Sequence, residues 1–282
     1  MGAEQHFVYG TTEDERRYER TYLNLEEAHE RAKSVLSASE IRLGQFAGLY
    51  GEDILRRDAA EVARLERKFE KVPSKLYADI LEAIACEHGE LSDWFGPKSQ
   101  VIKTALFDDY VNKIDMIVET EEERNFSHLA LGVDVTFGSH DLHKKFDGIR
   151  AKIDAGSLGE VKYFHSDRQH FTGRLMKLPL VVVGVEIERV KELGLLWMNR
   201  RNKDLQTHPV QVLILQEAML QLKTFADYAR RTGKPDVAII LEHELRKIQE
   251  LLAAKKEHGI TTIAGDKVFE EIKRNLASFT VK

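Results

Sequence analysis

Apolar positions change their spacing twice along the chain, and those changes divide it into a helical beginning, a mixed middle and a helical end. Asn24 followed three residues later by Glu27 forms a capping box, and Leu25, Ala28, Ala32, Val35 and Leu36 continue at helical spacing. A second helix is expected from Glu52 to Lys71, with Ile54, Val62, Leu65 and Phe69 on one stripe and Pro73 ending it. Ser74 caps a third, to about Glu87, with Gly89 as the stop. The period then drops to two. Leu129, Leu131, Val133, Val135 and Phe137 alternate with Ala130, Gly132, Asp134 and Thr136, the pattern of a strand. Ile114–Val118 reads as a strand before it, and Val101–Phe107 as another. Leu142, Phe146, Ile149 and Ile153 put a helix at about His140–Asp154, stopped at Gly156. Strands return at Val161–Phe164 and Leu178–Ile187, the second so continuously apolar that both its faces should be covered. Pro209 opens a long helix to Arg231, Gly233-Lys234-Pro235 breaks it, and Asp236 caps a return helix to His258, ended by Gly259. Asp266 starts a last short helix, Lys267–Leu276.

With 282 residues, no repeat and no linker rich in Gly, Ser or Pro, the simplest organisation is one compact α/β unit. Residues 1–73 form an N-terminal helical extension, 74–190 an α/β core with a mixed central sheet, and 191–282 a C-terminal helical region. Apolar residues at 43% and charged residues at 32% suit a soluble globular protein. A net charge of −5 excludes a globally basic nucleic-acid coat and leaves room for a local basic groove. Cys86 is the only cysteine, which excludes an internal disulfide framework and suits a reducing, cytoplasmic compartment. No stretch reaches the ~18 apolar residues of a membrane span. There is no Walker A loop, no dinucleotide fingerprint and no Gly-x-Ser-x-Gly elbow. His243 stands in no His-Glu-x-x-His site, and His140 with His143 lacks visible third and fourth zinc ligands. Trp94-Phe95 and Trp197-Met198 read as core aromatics rather than base-stacking platforms.

The chemistry-bearing segment is Asp108-Asp109-Tyr110-Val111-Asn112-Lys113-Ile114-Asp115, followed by Leu131-Gly132-Val133-Asp134-Val135-Thr136-Phe137. Two expected strands each carry an acid, and a carboxylate among apolar strand residues is costly unless it is paired or bound to metal. Asp134 alone could cap a loop at a sheet edge. With Asp115 on a neighbouring strand, the two could share one hard cation, Mg²⁺ or Mn²⁺. Asp108 and Asp109 could as well start a turn as approach that ion.

This order of elements resembles the PD-(D/E)XK nuclease superfamily, whose core is a helix, a strand hairpin with the first acid, a strand with an acid-x-Lys element, a helix and a further strand. The chain also looks like uncharacterised bacterial proteins carrying Asp-Val-Thr-Phe. The resemblance covers roughly 74–167 and implies a restriction-endonuclease-like sheet, Val161–Phe164 as its closing strand, and metal-dependent hydrolysis of phosphodiester bonds in nucleic acid, DNA in preference to RNA. It implies Asp115, Asp134 and Glu87 as metal ligands, with the Val135 carbonyl assisting. Glu87 shares the helical stripe of Ile80 and Ile84, whereas Glu82 lies off it; Glu87 could equally be an acid near a fraying helix end. Where the superfamily has lysine this chain has Thr136, which cannot hold an attacking water with positive charge. Lys145, on the edge of its helix's apolar face, and Lys162, on the closing strand, are the candidates to replace it, or both are snorkelling surface lysines. Arg56-Arg57, Arg67-Lys68, Arg200-Arg201 with Lys203 and Arg230-Arg231 with Lys234 could track phosphates or could be solvated helix faces. The rival class is an inactive module of the same fold that binds nucleic acid or a protein. The C-terminal hairpin, Pro209 to His258, could serve as a homodimer face or a partner site.

Overall fold

The computed structural model describes residues 21–69, 75–123, 125–134, 139–263 and 265–280. Helix α1 (Leu25–Ala38) begins where the capping box places it, with the Asn24 side chain accepting the Glu27 N–H at 3.3 Å. Two short turns, Leu43–Phe46 and Ala47–Tyr50, lead into α2 (Glu52–Phe69), and α3 (Lys75–Leu91) follows. The expected cap Ser74, with Lys71 and Pro73, lies outside the described residues. Helix α3 runs through Gly89 rather than stopping there. A Cβ at that position would sit 2.3 Å from Val101 Cγ2, so the missing side chain lets helix and sheet pack closely, and the helix is not broken.

The central sheet has the order β1-β2-β3-β6, built from β1 (Ser99–Lys103), β2 (Met116–Glu121), β3 (Phe126–Asp134) and β6 (Leu180–Gly184). The first three strands form an antiparallel meander. β6 runs parallel to β3, with Asp134 opposite Gly184. The crossover includes α4 (Ser139–Asp154), since a parallel return needs a long connection. β4 (Gly159–Ser166) does not close this sheet, contrary to expectation. It pairs with β5 (Phe171–Leu178) in a separate two-stranded ribbon, and β6, buried along its whole length as its unbroken apolar run requires, takes the place beside β3 at the edge of the sheet.

Helix α3 covers the sheet face of Val101, Lys103 and Met116, with Cys86 Sγ 3.5 Å from Met116 Sδ. The ribbon reaches the opposite face, where Ser166 and Gln169 donate to the buried Glu119. The longer helices that remain are α5 (Ile187–Met198), not foreseen, then, after a short helical turn at Asn202–Gln206, α6 (Val210–Arg231), α7 (Pro235–Glu257) and α8 (Lys267–Leu276). Pro235 is the first residue of α7, so Asp236 lies in its first turn and does not cap it. Asp266 does cap α8, accepting the Val268 and Phe269 N–H groups. Helix α6 covers the outer edge of β6 with side chains. Gln221 accepts the Val182 N–H at 2.8 Å and donates to its carbonyl at 2.6 Å, and Glu217 accepts the Gly184 N–H at 2.9 Å.

One main core runs from Ala28 and Ala32 through the sheet to Phe279, joining all three expected regions. Trp94 and Trp197 are buried in it, as expected. A second, smaller core holds Ile41, Phe46, Leu55, Ala105 and Tyr163. No described helix is long and apolar enough to cross a membrane.

Candidate metal centre

β1 ends at Lys103, where Thr104 turns the chain by donating to the Ile114 carbonyl at 2.6 Å. A wide helical turn of π type, Asp108–Asn112, follows and closes with Lys113 in the left-handed region at φ 59°. The turn brings Asp109 back over the end of β1, and the chain enters β2 through Asp115, whose N–H donates to the Leu131 carbonyl at 2.9 Å. Gly132 sits opposite, where an added Cβ would lie 3.3 Å from the Lys113 carbonyl and 3.9 Å from Asp115 Oδ2.

Three carboxylates therefore converge. Glu82 from α3, Asp109 from the turn and Asp115 just before β2 each offer an oxygen, all within 4.8 Å of one another. Lys103 lies among them, its Nζ 2.8 Å from Glu82 Oε2 and 2.8 Å from Asp109 Oδ2, and it is 6% exposed. Asp115 Oδ2 accepts the Val133 N–H at 2.6 Å, and Lys145 Nζ donates to the Val133 carbonyl at 2.9 Å. One residue of β3 thus links Asp115 to Lys145, whose charge acts on that carboxyl.

One ammonium cannot neutralise three carboxylates, and the proton affinities divide accordingly. Burial raises the pKa of Asp115 well above the usual carboxylate range, and the Asp109 and Glu82 charges add to this. Burial opposes ionisation of Asp109 too, but the Lys103 charge and hydrogen bonds outweigh it and hold that group low. Burial would lower Lys103, yet Glu82, Asp109 and Asp115 hold it well above its ordinary value, so the ammonium is charged.

Of the residues expected at a metal, Asp115 is in this centre and Lys145 is tied to its edge. Asp134 follows Val133 in the β3 backbone; its side chain, with Val135 and Thr136, lies outside the described residues. Glu87 is elsewhere. Its carboxylate accepts the Trp197 indole N–H and a bond from Arg31 at 3.2 Å, facing α5 and α1, and Glu82 takes the place expected of it. The stripe argument assumes that a helix buries one side. α3 buries Ile80, Leu81, Glu82, Ala83, Ile84 and Ala85, so two of its faces are interior and Glu82 lies on the one toward β1. Lys162 is also elsewhere, bound to Asp58 on α2 with its ammonium 5.2–5.4 Å from the ring centroids of Tyr50, Phe107 and Tyr163. Lys103 was not foreseen. Its signal was present, since period two from Val101 puts it on the inward face.

Several expected phosphate-tracking cations are held within the chain: Arg56 by Asp53, Arg201 by Asp204, Arg230 by Glu242, and Arg231 by the Phe279 and Thr280 carbonyls. His143 lies beside Asp147 and Asn275, and His243 beside Glu122 and Glu244, so neither joins a ligand cluster. Compared with family models, with curated proteins and with solved structures, the chain has no significant match in any of the three.

Proposed function

We propose that the chain is a metal-dependent nuclease that hydrolyses phosphodiester bonds of DNA or RNA, with a restriction-endonuclease-like core. The observation that carries this reading is the convergence of Glu82, Asp109 and Asp115 within 4.8 Å. The order of elements supports it: α3, the meander β1–β2–β3, α4 and then β6 parallel to β3, with the β4–β5 ribbon inserted before the last strand. Three carboxylates offer the hard oxygen donors that Mg²⁺ or Mn²⁺ prefers, and a bound dication would favour the ionised forms of Glu82 and Asp115 over the neutral ones that burial favours. Glu82, Asp109 and Asp115 would hold the cation, with Asp134 next to them in the backbone. When bound, such an ion polarises a phosphoryl oxygen, acidifies a coordinated water and neutralises charge in the transition state.

The chain's own groups divide the remaining work. Lys103 fixes Glu82 and Asp109, and the Val133 N–H fixes Asp115, so the acids are positioned by the fold. Lys145 brings positive charge to the edge of the centre, where an attacking water needs it, and Lys162 does not. One observation favours the second reading, an inactive module that binds nucleic acid or a protein: the Lys103 ammonium already sits where a cation would bind.

The test is cleavage of linear, nicked, branched and single-stranded DNA and of RNA, with Mg²⁺ or Mn²⁺, by wild type, Asp115→Asn and Asp134→Asn. Cleavage by wild type alone is expected. Equal cleavage by all three would indicate a contaminant, and none by wild type would leave the binding module.

A further inference from the structure

The small second core and the metal centre meet at Asp108. This residue is fully buried, and its carboxylate takes the Lys162 N–H at 2.8 Å on Oδ1, the Tyr163 N–H at 2.9 Å on Oδ2, and the Asn112 side-chain amide at 2.6 Å. The turn that presents Asp109 is thus hung from the backbone of β4. β4 is held in turn from the N-terminal side. The Tyr163 hydroxyl donates to Asp58 Oδ2 at 2.7 Å, the Lys162 ammonium pairs with the same carboxylate, and the Tyr50 hydroxyl donates to the Lys162 carbonyl at 2.8 Å. Phe46, Tyr50 and Phe107 pack their rings around Tyr163 at centroid distances of 5.1–5.5 Å. These contacts belong to a cluster separate from the main core.

We propose that residues 41–62 form a brace for the metal centre, in which Asp58, Lys162 and Tyr163 are positioning residues that set Asp109 through Asp108. The proposal rests on the metal-centre reading for its consequence and on this chain of hydrogen bonds for its mechanism. Asp109 lies next to Asp108 in the chain, so a carboxylate that loses its two β4 partners frees the turn carrying the neighbouring ligand. The turn's own backbone bonds, from the Asp108 and Asp109 N–H groups to the Ala105 carbonyl and from the Ile114 N–H to the Asp108 carbonyl, shape it locally, and the Lys103 ammonium that reaches Asp109 is shared with Glu82, so its placement against β4 rests on the Asp108 carboxylate. Lys162 thereby has a role that the sequence did not indicate: it acts at a distance from the acids, through its backbone N–H and through Asp58.

The test combines hydrogen–deuterium exchange with Mn²⁺ binding, both well below the melting temperature, on the full chain. Tyr163→Phe removes one hydroxyl and is the mild variant; Asp58→Asn weakens both bonds to β4. Asp58→Lys with Lys162→Glu reverses the ion pair. Tyr228→Phe, which deletes a buried-side hydrogen bond to Asp154 far along the chain, controls for a general loss of stability. Asp58→Asn should raise exchange in peptides covering both 41–62 and 105–115 and should weaken Mn²⁺ binding about 10-fold or more, as losing support for a ligand does. Tyr163→Phe should move the same peptides less, the reversed pair should recover both readouts in part, and Tyr228→Phe should move neither. Faster exchange in 41–62 with 105–115 unchanged would overturn the brace, and so would no change in either. If Asp58→Asn fails to fold, Tyr163→Phe decides on the same criteria. If wild type binds no Mn²⁺, the metal reading fails, and the exchange pattern alone still accepts or rejects the brace.

Discussion

Lys103→Met is the most informative single change, because it removes the one cation paired with both Glu82 and Asp109 among the described residues while keeping an unbranched side chain only one atom shorter. Lys103 is 6% exposed and Glu82 is 7% exposed, so water cannot replace the lost charge. Removing one partner of a buried ion pair costs about 3–5 kcal/mol, mostly for the charge left behind. At ~2–4 °C per kcal/mol for a chain approaching this size, the melting temperature should fall by about 6–20 °C at pH 8. The loss has a pH dependence. Glu82 and Asp115 have pKa values raised above the ordinary range, chiefly by burial, so their neutral forms are favoured in the fold and the strain they cause is absent in acid and grows as pH rises through their folded values. The deficit should therefore be smaller at pH 5 than at pH 8. A divalent cation that no longer competes with an ammonium should also bind better. At a concentration 100 times its Kd a ligand stabilises by about 2.7 kcal/mol, so Mn²⁺ should recover several degrees in Lys103→Met and fewer in wild type. Thermal melts followed by circular dichroism at both pH values, with and without Mn²⁺, read all of this. A variant that melts within ~2 °C of wild type at pH 8 would refute the claim that Lys103 balances buried carboxylates.

Two further outcomes follow from the same geometry. Glu82→Gln should lower Mn²⁺ affinity, whereas Glu87→Ala should leave it unchanged and cost about 1–3 kcal/mol of stability by stranding the Trp197 N–H; calorimetric titration and thermal melts separate them, and equal loss of affinity would reverse the assignment. Burial pushes the Cys86 thiol up to about 12, so the reactive thiolate is scarce at pH 8 and a thiol reagent should label native protein far more slowly than protein in urea; full labelling of the native form within minutes would contradict this.

β2, β3, α4 and the C-terminal hairpin were legible because each carries its pattern on a continuous stretch, whereas of the strand expected over Val101–Phe107 only Val101–Lys103 is one and the rest leads into the helical turn. Ile114 to Val118 and Leu129 to Val133 are apolar at most positions, as strands of a sheet covered on both faces are, and Leu142, Phe146, Ile149 and Ile153 recur once per turn and are all buried. Legibility failed where a helix is buried on more than one side. α3 has no single stripe, so a wheel could not choose between Glu82 and Glu87. The placement of β4 failed for a different reason: Val161–Phe164 is apolar because it supports the ribbon and the small core, and burial alone does not name the neighbour. Asp109 was visible only as one of two adjacent acids. The turn that separates their duties, with Asp108 inward on β4 and Asp109 toward Lys103, is set by long-range bonds that no local spacing encodes.

The side chains of Gln221 and Glu217 along β6 act as a substitute strand. They satisfy the Val182 N–H and carbonyl and the Gly184 N–H, groups that an edge strand otherwise offers to any passing extended chain. The sheet is thereby closed on that side to growth and to edge-to-edge aggregation. The same arrangement ties the fate of α6 to that of the sheet. If the helix peeled away, it would strip β6 of these partners and expose an apolar edge, so the C-terminal helices cannot behave as a detachable appendage. They should be lost in the same cooperative transition as the strands, and a truncation before Val210 would yield a sticky sheet instead of a smaller working domain.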